Sequence, residues 1–271
     1  MAAYRTQIEP REVVHGTPHT ALRDVIAGYV GYRSFSSRPV VRQLFPRGFV
    51  VVLFDFESPQ RWLLGREHLL PSLTVPVLGL HDRVVRFVQA GQHSGIAVGL
   101  PPRAAFRLLD VKMTELANRR GDLVDLLGRP VLEVVERLAE AADWPSRFTV
   151  LDQFLLSALQ VRPVDDMTGA AWHRLQRAGG AISIAALADE LSVSTRTLEL
   201  RFRAQIGVSP KNAARILRFQ HAVHLLGRDC RGGLSSIAHE CGYTDHAHFA
   251  KEVRVMAGCT PTQLRATLRR P

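Results

Sequence analysis

Residues 187–210 and 237–261 follow one pattern. The first copy reads LADELSVS (187–194), then Leu198 and Phe202, then GVSP (207–210). The second reads IAHECGYT (237–244), then Phe249 and Val253, then GCTP (258–261). The offset is 50 residues at the start and 51 after a single insertion. Each copy predicts a short helix with a small residue at its second position (Ala188, Ala238) and a tight turn (Leu191–Ser194, Cys241–Asp245). A longer amphipathic helix follows. Ser194 and Asp245 stand where a side-chain oxygen can accept the free N–H groups of that helix's first turn. Two helices joined by such a turn make a helix-turn-helix unit, and the chain predicts two of them.

The segment SPKNAARILRFQHAVHLLG (209–227) joins the copies. Ser209 followed by Pro210 is a helix start, and Gly227 can end the helix. Ile216, Phe219, Val223 and Leu226 line one apolar stripe between them. A connector of this kind sets the distance and angle between the two units.

Charge agrees with a polyanionic partner. The chain of 271 residues carries a formal net charge of +10. Residues 181–271 hold 13 Lys and Arg against 7 Asp and Glu, whereas the first 180 hold 22 against 18. The cationic density is therefore highest around the repeat, which suits nucleic acid or an anionic membrane surface. The apolar run Phe49–Phe56 is too short to span a bilayer, so no membrane partner is expected. The opening MAAYRTQIEPRE lacks the layout of a signal peptide. Three cysteines, at 230, 241 and 259, form no disulfide framework. A cytoplasmic, nucleoid-associated protein is the expectation.

The first half reads differently. From Val40 to about Leu109 come short β segments (VVRQLF, FVVVLFDF, RWLLG, SLTVPVLGL, RVVRFVQAG, SGIAVGL), the pattern of an antiparallel sandwich or barrel. GQHSG (91–95) reads as a hairpin turn. Helices follow at 129–142 and 146–160. Their stripes (Val131, Val135, Leu138; Leu151, Leu155, Leu159) pack on the sheet or form a dimer seam. VRPVDDMTG (161–169) is a polar break. The fold class is α+β in two domains: a β-barrel or sandwich with flanking helices at 1–162, a linker at 163–171, and an all-α domain at 172–271. A small-molecule pocket is the default for such a sandwich. Phe54, Trp62, Phe87 and His93 read as core or surface residues.

CGYTDHAHFAKEVR (241–254) is rich in potential metal ligands, with His239 and Cys259 beside it. On a helix starting near 245, however, His246 and His248 lie on different faces, whereas zinc sites want i,i+4 or loop-borne spacing. The first half has no cysteine and no H-x-H pair followed by Glu. Neither metal nor cofactor is expected, and no enzyme.

LADELSVSTRTLELRFRAQIGVSPKNAARILRFQHAVHLL and IAHECGYTDHAHFAKEVRVMAGCTPTQLR resemble the two-part DNA-binding domain of AraC/XylS-type transcriptional regulators. The likeness runs from Trp172 to the C-terminus and includes the closing G-x-[ST]-P-x-x-x-R of Gly258–Arg265. A looser likeness makes the first half a cupin-like regulatory domain. The resemblance implies a sequence-specific regulator that responds to a small-molecule effector, is a homodimer and contacts RNA polymerase. It places base-reading side chains at Arg196, Glu199, Leu200, His246, Ala247 and Lys251.

Helix periodicity gives part of the same set. On 195–206, Leu198, Phe202 and Ile206 face inward while Arg196, Glu199 and Arg203 face outward. Arginine can bind guanine O6 and N7, and glutamate can accept from cytosine N4. Ser194, Thr195, Thr197, Lys211, Arg215, Arg218, Asp245, His248 and Arg254 are the expected phosphate or capping groups. Three positions depart from the family pattern: Leu200 stands where many relatives are basic or polar, Ala247 replaces Ser or Gln, and Val253 replaces Phe. A second unit that grips phosphates and positions the first is the alternative to one that reads bases. Two other functions fit the same module: a DNA-repair or modification enzyme, and a nucleoid-type binder indifferent to sequence.

Overall fold

The computed structural model describes residues 10–56, 60–64, 69–70, 73–159, 166–228 and 233–269. The first half forms one eight-stranded antiparallel sheet. Its strands are β1 (Pro10–Gly16), β2 (Gly28–Leu44), β3 (Val50–Asp55), β4 (Gln60–Leu64), β5 (Leu69–Leu70), β6 (Pro76–Leu78), β7 (Val85–Leu100) and β8 (Arg120–Asp122). The order is β1-β2-β7-β3-β6-β8, with β4 paired to β7 and β5.

The strand reading needs two corrections. The sheet begins at Pro10, well before Val40. RVVRFVQAG and SGIAVGL are also one continuous strand, so 91–95 is not a hairpin turn. Gly91, with φ +83°, sits instead where the β2–β7 register shifts between Ser36 and Val40. That irregularity mimics a turn in the sequence without reversing the chain. His93 is fully buried in the strand, one ring nitrogen 2.8 Å from the Ala90 carbonyl.

Alternation along the strands sends neighbouring residues to opposite faces. Val50, Val52, Phe54, Ile96, Val98 and Leu100 enter one core; Val30, Val51, Leu78 and Ala97 enter another. The first core is covered by α1 (Pro102–Leu109), α2 (Met113–Leu116), α3 (Leu123–Leu127), α4 (Pro130–Glu140) and α5 (Trp144–Ala158). Val131, Leu138, Leu151 and Leu155 are buried there, so both helical stripes pack on the sheet. Phe148 stacks on Tyr29 at 5.8 Å and Phe154 meets Phe54 edge-on at 6.2 Å.

Residues 163–165 of the expected linker lie outside the described residues. From Asp166 the chain is already helical, and Thr168 is buried. Among the described residues, seven helices make up the second half: α6 (Asp166–Arg177), α7 (Ile184–Glu190), α8 (Thr195–Ile206), α9 (Pro210–Gly227), α10 (Leu234–Glu240), α11 (His246–Ala257) and α12 (Pro261–Arg269). Helix α9 belongs to two cores. Ala213, Ala214 and Leu217 join Trp172, Leu187, Leu198 and Phe202. Ile216, Phe219, Val223 and Leu226 join Ile237, Phe249, Val253 and Leu264.

The sheet domain adds a buried side chain to each of these cores, with Ala117 and Val84 packed beside them. Leu80 packs into the first and Phe45 into the second, its ring 6.4 Å from that of Phe219. Gln220 accepts from the Gly48 N–H at 2.8 Å, and Asn212 donates to Asp82 at 3.1 Å. Among the described residues no helix is long and apolar enough to cross a membrane.

Candidate nucleic-acid interface

The two turns are built alike. In the first, Leu191, Ser192 and Val193 donate to the carbonyls of Leu187, Asp189 and Ala188. In the second, Cys241, Gly242 and Tyr243 donate to Ile237, His239 and Ala238. The six-to-one bonds, Val193 to Ala188 at 3.0 Å and Tyr243 to Ala238 at 2.9 Å, satisfy carbonyls that the ending helix leaves open. Both turns need a left-handed residue at the same place, Ser192 (φ 54°) and Gly242 (φ 72°). The following helices are capped as expected: Ser194 Oγ accepts from Thr197 N–H at 3.1 Å, and Asp245 accepts from His248 N–H at 2.7 Å. Both end on a left-handed glycine, Gly207 and Gly258.

Helix α8 buries Leu198, Phe202 and Ile206 and exposes Thr195, Arg196, Glu199, Leu200 and Arg203. Arg203 and Glu199 form an exposed i,i+4 pair, with both bonds on Oε1 at 2.8 and 3.2 Å. The carboxylate keeps its second oxygen as an acceptor. Thr197 is half-buried and its hydroxyl lies 2.8 Å from that of Ser194.

Helix α11 buries Phe249, Val253 and Met256 and exposes His246, Ala247, Lys251 and Arg254. His248 turns inward and meets Tyr243 edge-on at 5.5 Å. Cys241 is buried in the second unit's core, and burial pushes its thiol up to about 12. Among the described residues no three His, Cys, Asp or Glu side chains gather as a metal site would require. Cys230 lies outside the described residues.

Not every expected phosphate group stands free. Lys211 and Arg254 are exposed. Arg215, by contrast, donates to Glu252 from two nitrogens at 2.8 and 3.1 Å and to Asn212 at 3.2 Å. Those bonds to Glu252 push its pKa up further. Arg218 lies over the Tyr243 ring at 5.6 Å. These two arginines tie α9 to the second unit. Glu252 and Tyr243, their partners, are the residues that sequence reasoning missed, because contacts between distant helices leave no local signal.

A cavity of about 630 Å³ lies between the sheet and α9. Phe45, Phe49 and Leu217 supply apolar wall, and Arg47, His221 and His224 supply polar groups. It is therefore lined from both domains rather than from the sheet alone.

A family profile described as "Helix-turn-helix domain" matches residues 187–267, which span both units and α9. Residues 187–267 therefore form a helix-turn-helix domain by sequence as well as by geometry. Over 80 residues it is 35% identical to the HTH-type transcriptional activator RhaS of Escherichia coli, covering 30% of this chain. The chain spans 28% of the length of that relative. Among solved structures, ToxT of Vibrio cholerae aligns over 90% of this chain and 98% of its own, at 11% identity and TM-score 0.49. A probable AraC family transcriptional regulator from Rhodopseudomonas palustris aligns over 40% of this chain and 100% of its own, at 26% identity and TM-score 0.36. The profile match ends at Thr267, inside α12.

Proposed function

We propose that the protein is a sequence-specific, double-stranded DNA-binding transcriptional regulator. The observation that carries this reading is the pairing of two similarly built helix-turn-helix units on one continuous helix. Helix α9 has 18 residues and is roughly 27 Å long. It separates two recognition helices whose outward faces carry Arg196, Glu199, Leu200 and Arg203, and His246, Ala247 and Lys251. Recognition helices about 34 Å apart enter successive major-groove segments on one side of a duplex. Lys211 and Arg254, with the first-turn groups Ser194 and Thr195, contact phosphates; Arg215 and Arg218 position the second unit.

The cavity against α9 is the proposed effector site. A ligand held there touches the sheet domain and the connector together, so it can bias the geometry of both units. Homodimerisation, contact with RNA polymerase and a cytoplasmic, nucleoid-associated location complete the reading. No catalytic step is assigned; the curated relative RhaS is a transcriptional activator.

The test is fluorescence anisotropy of the full chain on labelled DNA from upstream of its own gene and on a shuffled duplex, at two salt concentrations. A preference for the native fragment that survives higher salt is expected. Equal binding to both duplexes, lost in parallel as salt rises, would refute specific recognition of that fragment.

A further inference from the structure

Leu200 is 61% exposed in the middle of α8's outward face. At 100° per residue it lies about 160° around the helix from both Leu198 and Phe202, the side chains that anchor α8 to its core. It therefore does nothing for the fold of its own unit. Its exposed neighbours on that face include Arg196 one turn before and, about one turn after, Ala204 and Arg203, with Arg203 drawn onto Glu199 at 2.8 Å. An apolar side chain framed by cations is poorly suited to phosphate and well suited to a methyl group. Of the groups that base pairs present in the major groove, the thymine C5-methyl is the apolar one.

We propose that Leu200 reads a thymine methyl and that the two recognition helices carry the same two kinds of reader in opposite order. This rests on the reading of α8 and α11 as the helices that enter the major groove. At the 51-residue offset of the repeat, Arg196 corresponds to Ala247 and Leu200 to Lys251. All four are exposed. In α8 the cation precedes the apolar residue; in α11 the small apolar residue precedes the cation. Arginine favours guanine, and alanine, like leucine, offers a surface only for a methyl. The two readers in each helix are four residues apart, about 6 Å along the axis, or close to two base-pair steps. The first half-site then has a guanine followed within about two steps by a thymine, and the second has the reverse order. The two half-sites are not copies of each other, and the protein binds its operator in one polarity.

The test begins by selecting a site for the full chain from random duplex DNA. The first half-site is located as the one where Arg196→Ala relaxes a base preference. Each thymine is then replaced in turn by deoxyuridine, which lacks only the C5-methyl. Affinities are measured for the wild type and for Leu200→Ala. Because Leu200 is exposed, the variant keeps its fold. One thymine within about two steps of the Arg196-dependent base is expected to be methyl-sensitive, its deoxyuridine weakening the wild type about fourfold, the factor for burying one methyl-sized group. The same replacement should leave Leu200→Ala unchanged. If no thymine is methyl-sensitive, or if the wild type and variant lose equally, Leu200 does not read a methyl although DNA recognition stands. If selection yields no preferred site, specific recognition itself fails and this assignment falls with it.

Discussion

Arg215→Ala separates two roles that one cation on α9 could have: grip on a phosphate, or a brace for the second recognition helix. Its guanidinium donates in a forked arrangement to both oxygens of Glu252 at 2.8 and 3.1 Å, the geometry of the stronger ion pairs. Its side chain is 27% exposed and that of Glu252 12%. Removing the arginine leaves a largely buried carboxylate without its cation. For a fully buried pair that costs about 3–5 kcal/mol, and partial exposure of this one brings it to about 2 kcal/mol. Glu252→Ala leaves the longer, more exposed cation behind and should cost about 1 kcal/mol. The double variant should lose less than the sum, with a coupling of about 1 kcal/mol. Urea unfolding of the full chain and its three variants measures these differences. The salt slope of DNA binding should stay the same in Arg215→Ala. Unchanged stability together with a slope reduced by about one would show that Arg215 grips phosphate and is not a brace.

Three further outcomes are expected. Phe45→Ala removes the ring that the sheet domain inserts beside Phe219, and should cost about 3 kcal/mol and separate the two domains' transitions in calorimetry; a single, unshifted transition would show that the ring does not couple them. Burial pushes the Asp82 carboxyl up, but bonds from Asn212, Arg83 and Asn118 prevail and hold it below the usual range. Its stabilisation is therefore complete above the unfolded value of about 4 and fades as pH falls through the lower folded value; Asp82→Asn should flatten that acid limb of the unfolding curve, and an unchanged limb would discount the carboxylate. Cys241, with its thiol pushed up to about 12, should resist alkylation at pH 8 in the folded protein and react once urea unfolds it; labelling at the same rate in both states would show that the site is open.

The helical half was the more legible in sequence. Repeats at a fixed offset, cap residues and apolar spacing are local signals, and Ser194, Asp245, Leu198, Phe202, Phe249 and Val253 all stand where those signals put them. The sheet was less so. Strand β2 contains YRSFSSRP, in which polar residues and Pro interrupt the alternation, and its regularity comes from pairing with β7 rather than from its own composition. The Gly91 irregularity has the letters of a turn and the pairing of a strand. Within the site, exposure followed from helical phase, so Arg196 and Lys251 were accessible to reasoning, whereas Leu200 came only from the family resemblance. The commitment of Arg215 to Glu252 was not, because the partners lie 37 residues apart on different helices. The docking of Leu80 and Phe45 into the two helical cores was equally hidden. Buried apolar residues carry no label saying which domain's core they enter.

The central claim is that one chain places two recognition helices on one operator. Hydroxyl-radical footprinting of the full chain on its selected site tests it most directly. Two protected patches per bound chain, on the same face of the duplex and about 10 base pairs apart, are expected. Lys251→Ala should weaken only the second patch and Arg196→Ala mainly the first. A single patch, or uniform protection along the fragment, would contradict recognition by two units acting together.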